Sequence, residues 1–108
     1  MRIYLLIKKN FKFLETVYGL KISAREKLYT YYYVVWANSK MRICVMYDCG
    51  KARSMKIIVY DEEAPGTIVD GTEFFEELKT DAKSDRAKIC YAAEWLENAI
   101  KNNVICMK

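Results

Sequence analysis

At 108 residues, with 53% hydrophobic and 30% charged positions, the chain has enough apolar content for one modest core and too much for a disordered segment, so a single α+β domain over 1–108 is expected. Its net charge of +4 is uneven: residues 1–60 hold 12 Lys/Arg against 3 Asp/Glu, and residues 61–108 hold 6 against 11. That split suits either two solvated faces that attract each other or a basic face for an acidic partner.

Residues 2–18 read as a helix, with Ile3, Ile7, Phe11, Leu14 and Tyr18 on one stripe and Gly19 placed to end it. The apolar start Ile3 to Ile7 is cut short by Lys8 and Lys9, which argues against a secretion signal or a bilayer span. A cytoplasmic location follows as an expectation, and with it reduced thiols at Cys44, Cys49, Cys90 and Cys106. Residues 20–27 read as a charged connector.

The stretch Leu28 to Trp36, LYTYYYVVW, is too β-branched and aromatic for a helix, and both of its alternating sets are apolar or aromatic. It opens three expected strands at about 28–37, 40–48 and 54–61, joined by a tight turn at Asn38-Ser39 and a longer one at 49–53. Setting Ala37 opposite Lys40 and Asp48 opposite Ser54 gives one uncharged face: Tyr32, Val34, Trp36, Met41, Ile43, Val45, Tyr47, Met55, Ile57 and Val59. The other face then carries Tyr29, Tyr31, Tyr33, Val35, Arg42, Cys44, Met46, Asp48, Lys56, Ile58 and Tyr60. A slip of one residue would scramble both sets.

Residues 62–71 contain the only proline and read as a loop. Asp70 and Glu73 have the spacing of a capping box, so a short helix over about 72–82 is expected to bury Phe74, Phe75 and Leu78. Ser84 or Asp85 should cap a longer helix to about Asn103, with Ile89, Ala92, Ala93, Leu96, Ile100 and Val104 along its apolar stripe. The expected fold is therefore α+β: a three-stranded antiparallel meander with helices packed on one face, in the order α-β-β-β-α-α.

Chemistry is sparse in the pattern. Histidine is absent, which removes the usual partner of a Ser or Cys nucleophile and the commonest metal ligand. Cys49, beside Asp48 and followed by Lys51 and Arg53, is the best candidate for a reactive thiol, but no base is positioned near it. The cysteine spacings contain no C-x-x-C pair. The carboxylates at Asp61, Glu62 and Glu63 and at Glu73, Glu76 and Glu77 read as a loop run and a helix start rather than an acid–base pair. No catalytic residue, cofactor or metal is expected, and no enzyme.

The second sheet face reads instead as a binding surface, with Tyr29, Tyr31, Tyr33, Arg42, Met46, Lys56, Ile58 and Tyr60 as its contact residues. Tyr and Arg are favoured binding anchors, and Met adapts to shape. A protein partner or a second copy of the chain suits it best. Single-stranded nucleic acid stacked on the tyrosines is the alternative, although no RNP-type motif is present. A competing reading has the face covered by the chain's own loop 62–71 or the short helix that follows.

The order of elements adds a resemblance. An opening helix ending Tyr18-Gly19-Leu20 is followed by TYYYVVWAN, MRICVMYD and MKIIVYDE, and then by a helical AAEWLENAI. This layout resembles the small cytoplasmic proteins of bacterial polymorphic-toxin loci of the contact-dependent inhibition type, among them immunity proteins. The resemblance implies a non-enzymatic antitoxin that binds and blocks a toxin domain. Immunity proteins against nucleases are often acidic, and this chain is +4. The resemblance therefore implies either an acidic target surface or binding through the apolar face.

Overall fold

The computed structural model describes residues 2–50, 54–61, 67–68, 74–76 and 84–102. Two helical segments open the chain: α1 (Arg2–Asn10) and α2 (Phe13–Thr16). The helix expected over 2–18 is interrupted where the Asn10 side-chain amide donates to Leu6 O at 2.8 Å. The backbone then tightens, with Leu14 N donating to Phe11 O at 3.0 Å. The apolar stripe survives this break. Ile3, Ile7, Phe11 and Leu14 are all buried, and Gly19 ends the segment at φ 73°.

Four long antiparallel strands follow: β1 (Lys21–Leu28), β2 (Tyr31–Ala37), β3 (Met41–Asp48) and β4 (Met55–Asp61). They lie in the order β1-β2-β3-β4. Two short strands pair with the far edge of β4: β5 (Thr67–Ile68) beside Tyr60 and Asp61, and β6 (Phe74–Glu76) beside Met55 to Ile57. Helix α3 (Asp85–Lys101) ends the described chain, capped by Ser84, whose hydroxyl accepts from Ala87 N at 3.1 Å.

The class is α+β, but the three-stranded meander in the order α-β-β-β-α-α is overturned. The charged connector at 20–27 is strand β1, so the main sheet has four long strands. Part of the expected helix over 72–82 is strand β6, and part of the expected loop over 62–71 is β5. The side-chain burial expected of Phe74 and Phe75 lies outside what the structure describes, and Leu78 and Val104 lie outside the described residues. β1 was hidden because six consecutive residues, Ser23 to Leu28, are exposed. A strand held to one neighbour by backbone bonds shows no apolar period. Its pairing with β2 also contains an irregularity between Ile22 and Ala24, which shifts the alternation by one.

Register explains why the rest of the sheet reads correctly. Between β3 and β4, Ile43 pairs with Val59, Val45 with Ile57 and Tyr47 with Met55, as expected. Between β2 and β3, Ala37 faces Arg42 rather than Lys40. The Asn38 side chain accepts from both Lys40 N and Met41 N at 2.8 Å, which moves the turn on by one residue. Every partner therefore shifts by two, and no side chain changes face. All ten residues of the uncharged face are buried beneath α1 and α3, together with Ile89, Ala92, Ala93, Leu96 and Ile100 of α3. Trp36 is fully buried against Phe11, with ring centroids 5.7 Å apart, and its indole N–H donates to Glu15 at 3.3 Å. The Tyr47 hydroxyl donates to Asp85 at 2.5 Å, tying the sheet to the first turn of α3.

Candidate interaction surface on the open sheet face

The side of the sheet turned away from α1 and α3 is built in cross-strand rows. Tyr33, Met46 and Lys56 form one row, Val35, Cys44 and Ile58 the next, and Ala37, Arg42 and Tyr60 the third. The middle row is apolar and buried: Val35 is 2% exposed, Cys44 1% and Ile58 6%. Ile58 therefore contributes to the interior of this face rather than to a contact surface. Tyr33, Arg42, Met46, Lys56 and Tyr60 are half-buried around it.

Two pairings fix this surround. The Tyr33 hydroxyl and the Cys44 thiol lie 3.5 Å apart. That hydrogen bond, reinforced by burial, pushes the Tyr33 phenol up to about 12, so it stays protonated and neutral at physiological pH. The Arg42 guanidinium lies 4.9 Å from the centre of the Tyr60 ring. One face of Tyr60 is thus occupied by the protein's own cation.

The exposed part of the surface is concentrated at one corner. Leu28 and Tyr31 face each other across the β1–β2 hairpin, whose turn is Tyr29-Thr30. Leu28 is 68% exposed, Tyr29 88% and Tyr31 39%. Tyr29 is therefore a turn residue, not a member of the strand face where the sequence pattern put it. A groove of about 290 Å³ runs beside the corner, lined by Glu26, Leu28, Tyr31 and Tyr33. Glu26 and Leu28 were not among the expected contact residues. The missing signal was the turn itself, since LYTYYY holds no Gly, Asn or Asp to mark it.

A hydrogen-bonded junction holds this corner. Thr30 Oγ1 donates to Asp48 Oδ1 at 2.7 Å, Gly50 N donates to the same oxygen at 2.9 Å, and Cys49 N donates to Thr30 O at 2.9 Å. The β1–β2 turn is thereby pinned to the turn after β3. Both donors to Asp48 favour its charged form and hold its carboxyl below the usual range, Thr30 more strongly than Gly50. Burial raises the Tyr31 phenol above its ordinary value, against an opposing pull from Lys56.

The remaining candidates are scattered. Cys49 is half-buried at the turn and packs against the core, Cys44 lies inside the open face, and Cys90 is half-buried on α3. Burial, then the neighbouring Glu94, raises the Cys90 thiol above its ordinary value. Among the described residues, no three His, Cys, Asp or Glu side chains are grouped to hold a metal ion. No described helix is long and apolar enough to cross a membrane. No family model matches the chain, and no curated protein and no solved structure matches it.

Proposed function

We propose that this chain is a non-enzymatic protein-binding module that engages its partner at the exposed Leu28–Tyr31 corner of the second sheet face, whose middle row is buried. Its narrower form is an immunity protein that occludes a toxin domain. The observation that carries the reading is the exposure of Leu28, Tyr29 and Tyr31 at one hairpin end, with Leu28 and Tyr31 lining a groove beside it. Tyrosines at such a corner supply large contact area with little side-chain freedom to lose. The Arg42–Tyr60 stack favours a protein over single-stranded nucleic acid, because it takes up a ring face on which a base would stack.

The test is to read the neighbouring genes for a toxin domain and to measure binding of any such purified domain by calorimetry, with the wild-type chain and a Tyr29→Ala/Tyr31→Ala variant; neighbours that encode no toxin domain remove the immunity form. Tight binding by the wild type and a loss of about tenfold or more in the variant supports the reading. Equal binding by both removes this corner as the contact surface. A wild-type chain that sediments as a dimer, with the variant a monomer, would replace the toxin partner by a second copy.

A further inference from the structure

We propose that the cleft on the helix side of β1, between that strand and α1, is an oxyanion site that takes one phosphoryl, sulfate or carboxylate group. It lies on the opposite side of the strand from the aromatic corner and does not depend on the reading above. Tyr4 of α1, Arg25, Glu26 and Lys27 of β1, and Tyr32 of β2 line a space of about 140 Å³. That is well below the roughly 300 Å³ at which drug-sized pockets begin, so the occupant is a single small group.

Most of the exposed lining is apolar, and Arg25 and Lys27 bring the charged donors to it. Arg25 and Lys27 pair with Val34 and Tyr32, both core-facing residues, so the two cations project to the same side of the strand, about 6.5 Å apart along it. Among the described residues neither forms an ion pair with a carboxylate. Each cation is instead held over a tyrosine ring: the Arg25 guanidinium 4.8 Å from the centre of Tyr4, and the Lys27 ammonium 5.6 Å from that of Tyr32. Ring contact engages a cation without consuming its N–H donors. Neither tyrosine hydroxyl hydrogen-bonds to another described residue, and both rings are buried, Tyr4 at 7% and Tyr32 at 6% exposure.

Cations on an edge strand can serve merely to deter unwanted strand pairing. Arg25 and Lys27 turn instead toward rings of α1 and β2, which places two like charges at one small opening. An acceptor-only group between them relieves their repulsion and receives charge-assisted hydrogen bonds. Glu26 borders the cleft, but its side chain alternates toward the groove on the open face.

Amide chemical shifts of the full chain, followed at constant ionic strength, test the site with two probes: inorganic phosphate and an N-acetylglutamate amide. Saturable shifts at Tyr4, Arg25, Lys27 and Tyr32, with a Kd of about 5 mM or tighter for at least one probe, are expected. Lys27→Gln should weaken this about tenfold and Arg25→Gln/Lys27→Gln should abolish it, while Lys21→Gln, on the same strand but outside the cleft, should leave it unchanged. Both cleft positions are exposed, and circular dichroism confirms that each variant folds. Tighter binding of phosphate assigns the site to a phosphoryl or sulfate group, and equal or tighter binding of the glutamate amide assigns it to an acidic side chain of a protein. Absence of saturation with both probes, or shifts that persist in the double variant, overturns the proposal.

Discussion

Replacing Tyr29 by glycine should stabilise the fold and weaken partner binding together. Tyr29 is the one described non-glycine residue at positive φ, 57°, where its Cβ crowds the backbone. That conformation costs an L-residue about 1–2 kcal/mol, and glycine escapes the cost. Glycine also loses about 0.5–1 kcal/mol more backbone entropy on folding. The ring is 88% exposed, so its removal forfeits almost no burial. The net expectation is a gain of about 0.5–1 kcal/mol, and with a urea m-value of about 1.3 kcal/mol/M it moves the unfolding midpoint up by about 0.4–0.8 M. Tyr29→Ala keeps the strain and loses the ring, so it should leave the midpoint within about 0.3 M of wild type. An unchanged or lower midpoint for Tyr29→Gly would refute the strain argument. If Tyr29→Gly is more stable and binds as well as wild type, the strain serves no contact at this position.

Three further outcomes follow from the same geometry. A Cβ at Gly50 would sit 3.0 Å from both Asp48 Oδ1 and Thr30 Oγ1, so Gly50→Ala should cost about 1–2 kcal/mol in urea unfolding by breaking the junction between the two turns. The Asp48 carboxyl titrates below its unfolded value, so its contribution is full above that unfolded value, near 3.8, and is lost as pH falls through the lower folded one. Thr30→Val should therefore flatten the acid limb of the stability profile between about pH 5 and 2, and an unaltered limb would show the bond to be without effect. Trp36→Ala should cost about 3–5 kcal/mol, read by thermal unfolding, because the indole is fully buried against Phe11 and donates to Glu15.

What the sequence made legible was whatever burial writes into it. Tyr32, Val34 and Trp36, and their partners on β3 and β4, had to lie on one side of the sheet. Only a one-residue slip would have broken the pattern, and the two-residue shift at Asn38 did not. The stripe Ile89, Ala92, Ala93, Leu96 and Ile100 was equally plain and is buried throughout. β1 left no such trace, because KISAREKL is held by backbone pairing at an edge and exposed along most of its length. With β1 unmarked in the sequence the hairpin is unmarked too, so Tyr29 reads as a strand residue and neither Glu26 nor Leu28 reads as a neighbour of Tyr31. The cleft at Arg25 and Lys27 was out of reach for the same reason, since two cations in a connector have no common side.

β1 thus decides how the surface works as well as how many strands the sheet has. Without it, Tyr31 and Tyr33 would lie on a bare edge; with it, Glu26 and Leu28 turn that edge into a groove. The Thr30–Asp48–Gly50 junction fixes the backbone on which Tyr29 and Tyr31 stand, so less ordering entropy remains to be lost when a partner docks. Neutral phenols at Tyr31 and Tyr33, both titrating above the ordinary range, can be desolvated without stranding a charge. Both signs of charge border this corner: Glu26 lines the groove and Asp48 pairs with Tyr31, while Arg42 stacks on Tyr60 and Lys56 lies one row along. A rim of mixed charge can set orientation while the phenols supply desolvated area, the division of roles that the proposed binding surface needs.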